Sequence, residues 1–180
     1  VMRISIGQVG KGAAADDLAR SAALSALLDG NLEASYRLAA ILLGSRAEGE
    51  DATQDAVERA WRQWKSLRDP GRMRAWFTAI LINTCRDRMR SRRRIRVPFD
   101  QDLVVDGDPG GHLARRDLLE RAFEHLDPDH RIVLTLRYYL DLPVSEIAVR
   151  TGIPEGTVKS RLHHAERRLR LILDAEEARS

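Results

Sequence analysis

An all-α fold of two small helical modules is what this chain of 180 residues predicts, and three observations carry the prediction. Residues 143 to 170, PVSEIAVRTGIPEGTVKSRLHHAERRLR, read as two helices joined by a glycine-containing turn, which is a helix-turn-helix. The charge reverses sharply in mid-chain: from Arg86 to Val97 there are seven arginines and one aspartate, and from Pro98 to His112 four aspartates and no Lys or Arg. The composition, 32% charged and only 5% aromatic, suits a helix-rich, thinly cored protein, and no segment shows the alternating pattern of a strand.

The reversal sets the boundaries. Residues 98–112, PFDQDLVVDGDPGGH, hold two prolines and three glycines and read as a flexible acidic linker. A loose N-terminal arm is expected over 1–16, a first module over 17–97, a second over 113–175 and a short tail over 176–180. In the first module, Leu18 to Leu28 reads as an opening helix and Leu32 to Leu43 as a second that stops at Gly44. A third is expected from about Ala47 to Lys65, with Ala56, Val57, Ala60, Trp61 and Trp64 on its apolar face. Its acidic residues gather toward the N-terminus and its basic ones toward the C-terminus, as the helix dipole favours. After the break RDPGR, a long helix from about Met73 to Arg94 begins apolar and ends cationic.

The second module opens near Leu113 with a helix burying Leu118, Leu119, Ala122, Phe123 and Leu126. Asp127 and Pro128 supply the N-cap and first-turn proline of the next helix, whose apolar residues are Ile132, Val133, Leu136 and Tyr139. The helix-turn-helix follows. Val144, Ile147 and Ala148 recur at helical spacing, Gly152 provides the positive φ of the turn, and Pro154 stands at the start of the last helix. On that helix Val158, Leu162, Ala165, Leu169 and Ile172 share one stripe, while Ser160, His163, His164 and Arg167 fall opposite. Lys159, Arg161, Arg167, Arg168 and Arg170 outnumber Glu155 and Glu166, a phosphate-attracting excess on an element able to enter a major groove.

Several function classes fall away. Cys85 is the single cysteine, its apolar neighbours point to a buried thiol, and no cysteine-based metal site can form. His163 and His164 point about 100° apart on a helix and have no third ligand nearby, so no metal or cofactor is expected. No triad or metal spacing suggests an enzyme. No apolar run is long enough for membrane insertion and no signal segment opens the chain, so a cytoplasmic protein is expected.

Two motif sets carry a resemblance. Asp51-Ala52-Thr53-Gln54-Asp55, Ala60-Trp61, Arg74-Ala75-Trp76-Phe77, Ile82-Asn83-Thr84 and the arginine run resemble region two of the extracytoplasmic-function sigma factors of bacterial RNA polymerase. Leu126-Asp127-Pro128, Glu146-Ile147-Ala148, Gly152-Ile153-Pro154 and Gly156-Thr157-Val158-Lys159-Ser160-Arg161-Leu162 resemble their region four. The order and spacing of both sets fit, over nearly all of the chain after residue 20. The resemblance departs at Pro143, where the family often has a serine cap, and at His163 and His164, where relatives often carry an aromatic or arginine. It also implies that no C-terminal regulatory extension follows.

The resemblance implies a subunit that binds core RNA polymerase and directs promoter-specific initiation, with an anti-sigma factor as a further partner of many members. Asp51, Gln54, Asp55 and Glu58 would face the polymerase clamp. Asn83, Arg86 and the stretch Ser91, Arg92, Arg93 and Arg94 would meet the non-template strand of the minus-ten element. Lys159, Ser160, His163, His164 and Arg167 would meet promoter DNA at the minus-thirty-five element. A gradient along the long helix suggests that Asn83 reads a base while Arg90, Arg92, Arg93 and Arg94 hold backbone phosphates. The residues themselves leave alternatives: a stand-alone helix-turn-helix regulator for the whole chain, an interior amide for Asn83, and core packing for Trp61 and Trp64. The arginine run would repel itself without an anionic partner, which nucleic acid would supply.

Overall fold

The computed structural model describes residues 22, 31–95, 119, 121–123 and 125–177, and every ordered element among them is helical. The arm, the linker 98–112 and all but Ala22 of the opening helix lie outside the described residues. Helix α1 spans 31–43 and closes at Gly44, whose φ of 72° is the left-handed value expected of a helix-terminating glycine. The last carbonyls of a helix have no partner within it. Here the side chain of Arg131 donates to the Leu42 carbonyl (3.0 Å) and that of Arg92 to the Leu43 carbonyl (3.1 Å). Cations at this end also complement the helix dipole.

Ser45 caps helix α2 (Arg46–Arg62). This helix ends three residues before the expected Lys65, and a 3-10 turn, Trp64–Ser66, follows. Its buried face is Gly49, Ala52, Thr53, Ala56 and Ala60, which lie on one stripe at about 100° per residue. Trp61 stands one step round from Ala60 and is exposed, against the expectation of a core residue. Gly49 packs against Ala40 of α1, and the indole of Trp61 lies outside the buried stripe. Trp64 packs edge-on against Trp76 with ring centroids 6.1 Å apart, and Trp76 Nε1 donates to Ser66 Oγ (3.1 Å). The pair closes the loop into helix α3 (Met73–Ile95), which starts from a 3-10 turn where Asp69 accepts from Gly71 N.

Helix α3 buries Phe77, Ile80, Leu81, Ile82, Cys85 and Met89 in a core that continues without a break into the second module through Leu126, Ile132, Val133, Leu136 and Ile147. Burial pushes the Cys85 thiol up to about 12. Asp127 caps helix α4 (Pro128–Leu134), accepting from Asp129 N. The chain then widens into a π turn, Thr135–Tyr139, with Leu140 N donating to the Thr135 carbonyl. The wider turn moves the register, so Tyr139, expected on the apolar face, is exposed. Leu119 is exposed as well, whereas its expected companions Ala122 and Leu126 are buried. Helices α5 (Val144–Thr151) and α6 (Glu155–Glu177) meet at Gly152, with φ 70°. They form the helix-turn-helix.

The approach of α1 to α2 depends on Gly49. A Cβ there would stand 2.7 Å from the Ala40 backbone nitrogen and 2.9 Å from its Cα. Gly49→Ala should therefore destabilise the chain by about 1–3 kcal/mol despite the better helix propensity of alanine. Equilibrium denaturation followed by far-UV circular dichroism checks this; unchanged stability would mean that the two helices separate without cost.

Candidate nucleic-acid interface

Three surfaces collect the residues singled out by sequence. On α6, Val158, Leu162 and Ala165 are buried and Leu169 and Ile172 half-buried, which turns Lys159, Ser160, His163, His164 and Arg167 outward; all five are exposed. The two imidazoles meet edge to face at 5.7 Å. Pro143 begins α5 without a side-chain cap, and Gly152 N donates to the Ala148 carbonyl (2.9 Å) to close that helix. The turn therefore holds α6 through backbone geometry and an apolar seam, leaving a face of donors and cations in solvent.

The outer side of α2 exposes Asp51, Gln54 and Glu58, while Asp55 is half-buried. Two of these carboxylates already hold cations of the chain: Arg88 donates to Asp55 (2.6 Å) and Arg62 to Glu58 (2.6 Å). Asp51 and Gln54 are the exposed remainder of this face.

Helix α3 distributes its residues differently from a simple gradient. Asn83 is exposed, so the interior-amide reading falls, and its side-chain oxygen accepts from Arg86. Ser91 is exposed and Arg90 half-exposed. Arg86 is only 13% exposed in its side chain and reaches across to Asp129 of the second module at 2.9 Å. Arg90 meets the same carboxylate at 3.0 Å. Arg92 is tied to the Leu43 carbonyl and to Glu48. Residues 93–95 continue the helix, and the side chains of Arg93 and Arg94 lie outside the described residues. The described arginines of the run thus have intramolecular anionic partners, which the sequence reading assigned to nucleic acid alone.

Asp129 and Arg131 were missed in the sequence, and Arg161 was read there as one of the cations of the last helix, with no partner in the chain. Arg161, in the helix-turn-helix, contacts Asp129 at 3.3 Å, so this carboxylate faces three arginines from two modules. Asp129 reads locally as an ordinary first-turn acid beside the capping Asp127, and no periodic signal marks its distant partners. Among the described residues no His, Cys, Asp and Glu group could hold a metal ion, and no helix is long and apolar enough to cross a membrane.

The sigma-70 region 2 family model matches residues 27–95 and the sigma-70 region 4 model residues 116–169. The extracytoplasmic-function RNA polymerase sigma factor SigL of Mycobacterium tuberculosis is 37% identical over 161 residues, 86% of this chain and 91% of the relative. RNA polymerase sigma factor SigV of Bacillus subtilis is 31% identical over 143 residues, covering 79% and 86%. Among solved structures, the sigma factor RpoE of Bartonella quintana, in complex with the anti-sigma factor NepR, has a TM-score of 0.63 and 27% identity, covering 82% of this chain and 94% of that one. These relatives do not favour a stand-alone regulator.

Proposed function

Since the chain belongs to the extracytoplasmic-function group of the sigma-70 family, and so is an RNA polymerase sigma factor that directs transcription initiation, we propose that α2, α3 and α6 divide that work among them. The exposed acidic face of α2 at Asp51 and Gln54 docks on core polymerase, with Asp55 and Glu58 at its margin. The exposed side of α3, at Asn83 and Ser91 with Arg86 and Arg90 beside them, takes the minus-ten strand; Arg92, Arg93 and Arg94 extend that cationic end. The outward face of α6 reads duplex DNA at the minus-thirty-five element.

The observation that carries this reading is the division of α6, which places Lys159, Ser160, His163, His164 and Arg167 in solvent and the intervening apolar residues in the core. A reader of base edges needs side-chain donors and acceptors held rigidly on one face, and a positioning face needs cations. The chain itself performs no catalysis in this scheme and works in the cytoplasm, where polymerase and promoter DNA meet. An anti-sigma factor belongs among its partners. An open apolar groove of about 640 Å³, bordered by Ile41, Phe123, Leu134, Tyr138, Leu169 and Leu173, supports that assignment.

Run-off transcription with core polymerase on a pool of promoter fragments is the direct test: discrete, sigma-dependent transcripts are expected, and a chain that binds the fragments without yielding transcripts would restore the stand-alone regulator. Asp51→Lys combined with Gln54→Ala should weaken capture of core polymerase at unchanged stability, because exposed charges add little to folding. Wild-type capture by that variant would remove α2 from the polymerase interface. For α6, His163→Ala or Ser160→Ala should cost about 1–3 kcal/mol at a particular base pair, whereas Arg167→Ala should weaken all sequences and flatten the log-affinity against log-salt slope by about 0.9. Binding to a set of single-base variants of the upstream element separates the two outcomes, and equal losses on all variants for all three substitutions would assign this face to phosphates alone.

A further inference from the structure

We propose that His163 and His164 couple promoter recognition to protons: the imidazole pair takes up protons as α6 enters the upstream element, so that this contact strengthens as pH falls and its salt dependence steepens with it. The coupling rests on the reading of α6 as the minus-thirty-five helix and adds to it the charge state in which two of its residues bind.

Geometry sets the pair apart from the rest of that face. Both rings are exposed at adjacent positions of α6, between the buried Leu162 and Ala165, and they meet edge to face at 5.7 Å. Among the described residues neither ring holds a hydrogen bond or an ion pair, so their nitrogens are open to an incoming ligand. Lysine and arginine keep their charge through the physiological range, whereas imidazole gains or loses its charge between about pH 5 and 8.

The surroundings make an external anion the trigger. Lys159 and Arg167 lie one turn from His163, and Arg168 lies one turn from His164. Glu166 is the single carboxylate within a turn of either ring on α6, and it accepts from Tyr138 Oη (2.7 Å). Of the elements packed against α6, helix α5 carries Glu146, paired with Arg150 at 3.7 Å, and α4 carries the half-buried His130 and Asp129, which takes Arg161. Arg131 and Arg137 donate to the backbone carbonyls of Leu42 and Leu142. Among the described residues no carboxylate bonds either ring, and charges on both rings at 5.7 Å repel until phosphates lie against them.

A duplex supplies phosphates at about one charge per 1.7 Å of helix axis. The neutral imidazole has one donor and one acceptor, and the charged one has two donors. Phosphate oxygens and the O6 and N7 atoms of guanine only accept, so they favour the charged ring; the amino groups of adenine and cytosine donate and favour the neutral one. Docking against phosphates therefore takes up protons, and by linkage the affinity rises as pH falls. The gain is present near pH 6 and is lost as pH rises toward 8, where the rings bind neutral.

The test uses holoenzyme assembled from the full chain and core polymerase, on a promoter fragment and on the same fragment with its upstream element scrambled. Measured against His163→Gln/His164→Gln, wild type should gain about tenfold in affinity for the intact fragment between pH 8 and pH 6. Over the same interval its log-affinity against log-salt slope should steepen by about 0.9 for each ring that becomes charged. His163→Lys/His164→Lys should show the steep slope at both pH values, and scrambling the upstream element should erase the difference between wild type and the glutamine variant. Calorimetry in two buffers of different ionisation enthalpy should show more protons taken up on binding by wild type than by the glutamine variant. All these substitutions are at exposed positions, and circular dichroism at both pH values checks that helicity is retained. Equal pH dependence, or equal proton uptake, in wild type and the glutamine variant overturns the coupling. If Lys159→Ala/Arg167→Ala loses affinity while those two remain equal, the coupling alone fails; if that variant and the glutamine variant both bind as wild type does at each pH, the reading of α6 itself fails.

Discussion

The arginine excess of α3 has to be neutralised somewhere, and much of the architecture follows from where that happens. Between Arg86 and Arg92 the helix carries four arginines and one aspartate. Asp55 of α2 takes Arg88, Glu48 and the end of α1 take Arg92, and Asp129 of α4 takes Arg86 and Arg90. Asp87, the lone acid, is itself bonded outward to Arg59. Each pair fixes a neighbouring helix against α3, so the electrostatic needs of one element set the placement of three others. Exposed pairs such as Arg59 with Asp87 add little stability, whereas the shielded contacts of Arg86 and Arg92 specify which carboxylate goes where.

Legibility in the sequence followed the range of the interaction. Gly44, the Asp127-Pro128 cap, Gly152 and the two faces of α6 are local signals, decided by φ, capping or a helical period, and each stands where it was read. The helix-turn-helix and the all-helical class were legible for that reason. Trp61 was misplaced because hydrophobicity was counted and size was not: the buried stripe of α2 consists of glycine, alanine and threonine. Tyr139 was misplaced because an inserted π turn leaves no periodic trace.

The candidate site was legible as a set of exposed side chains and illegible as a network. Arg90 and Asp129 are 39 positions apart, Arg131 and Leu42 are 89 apart, and neither separation carries a pattern. A run of like charges correctly implied an anion. What it did not reveal is that the chain supplies its own, so that residues suited to phosphate serve first as structural cations. Composition cannot distinguish the two uses of a guanidinium group, because the acceptor chemistry is the same.

The sole thiol, sealed in the core on the buried face of α3, turns the native sequence into a ready background for spectroscopy. Thiol-directed fluorophores or spin labels require an accessible thiolate, which Cys85 withholds while the chain is folded. Cysteines introduced at exposed positions, one on α2 and one on α6, would therefore accept probes without first removing the natural residue. Interhelical distances could then be followed in solution on a molecule whose packing is otherwise untouched.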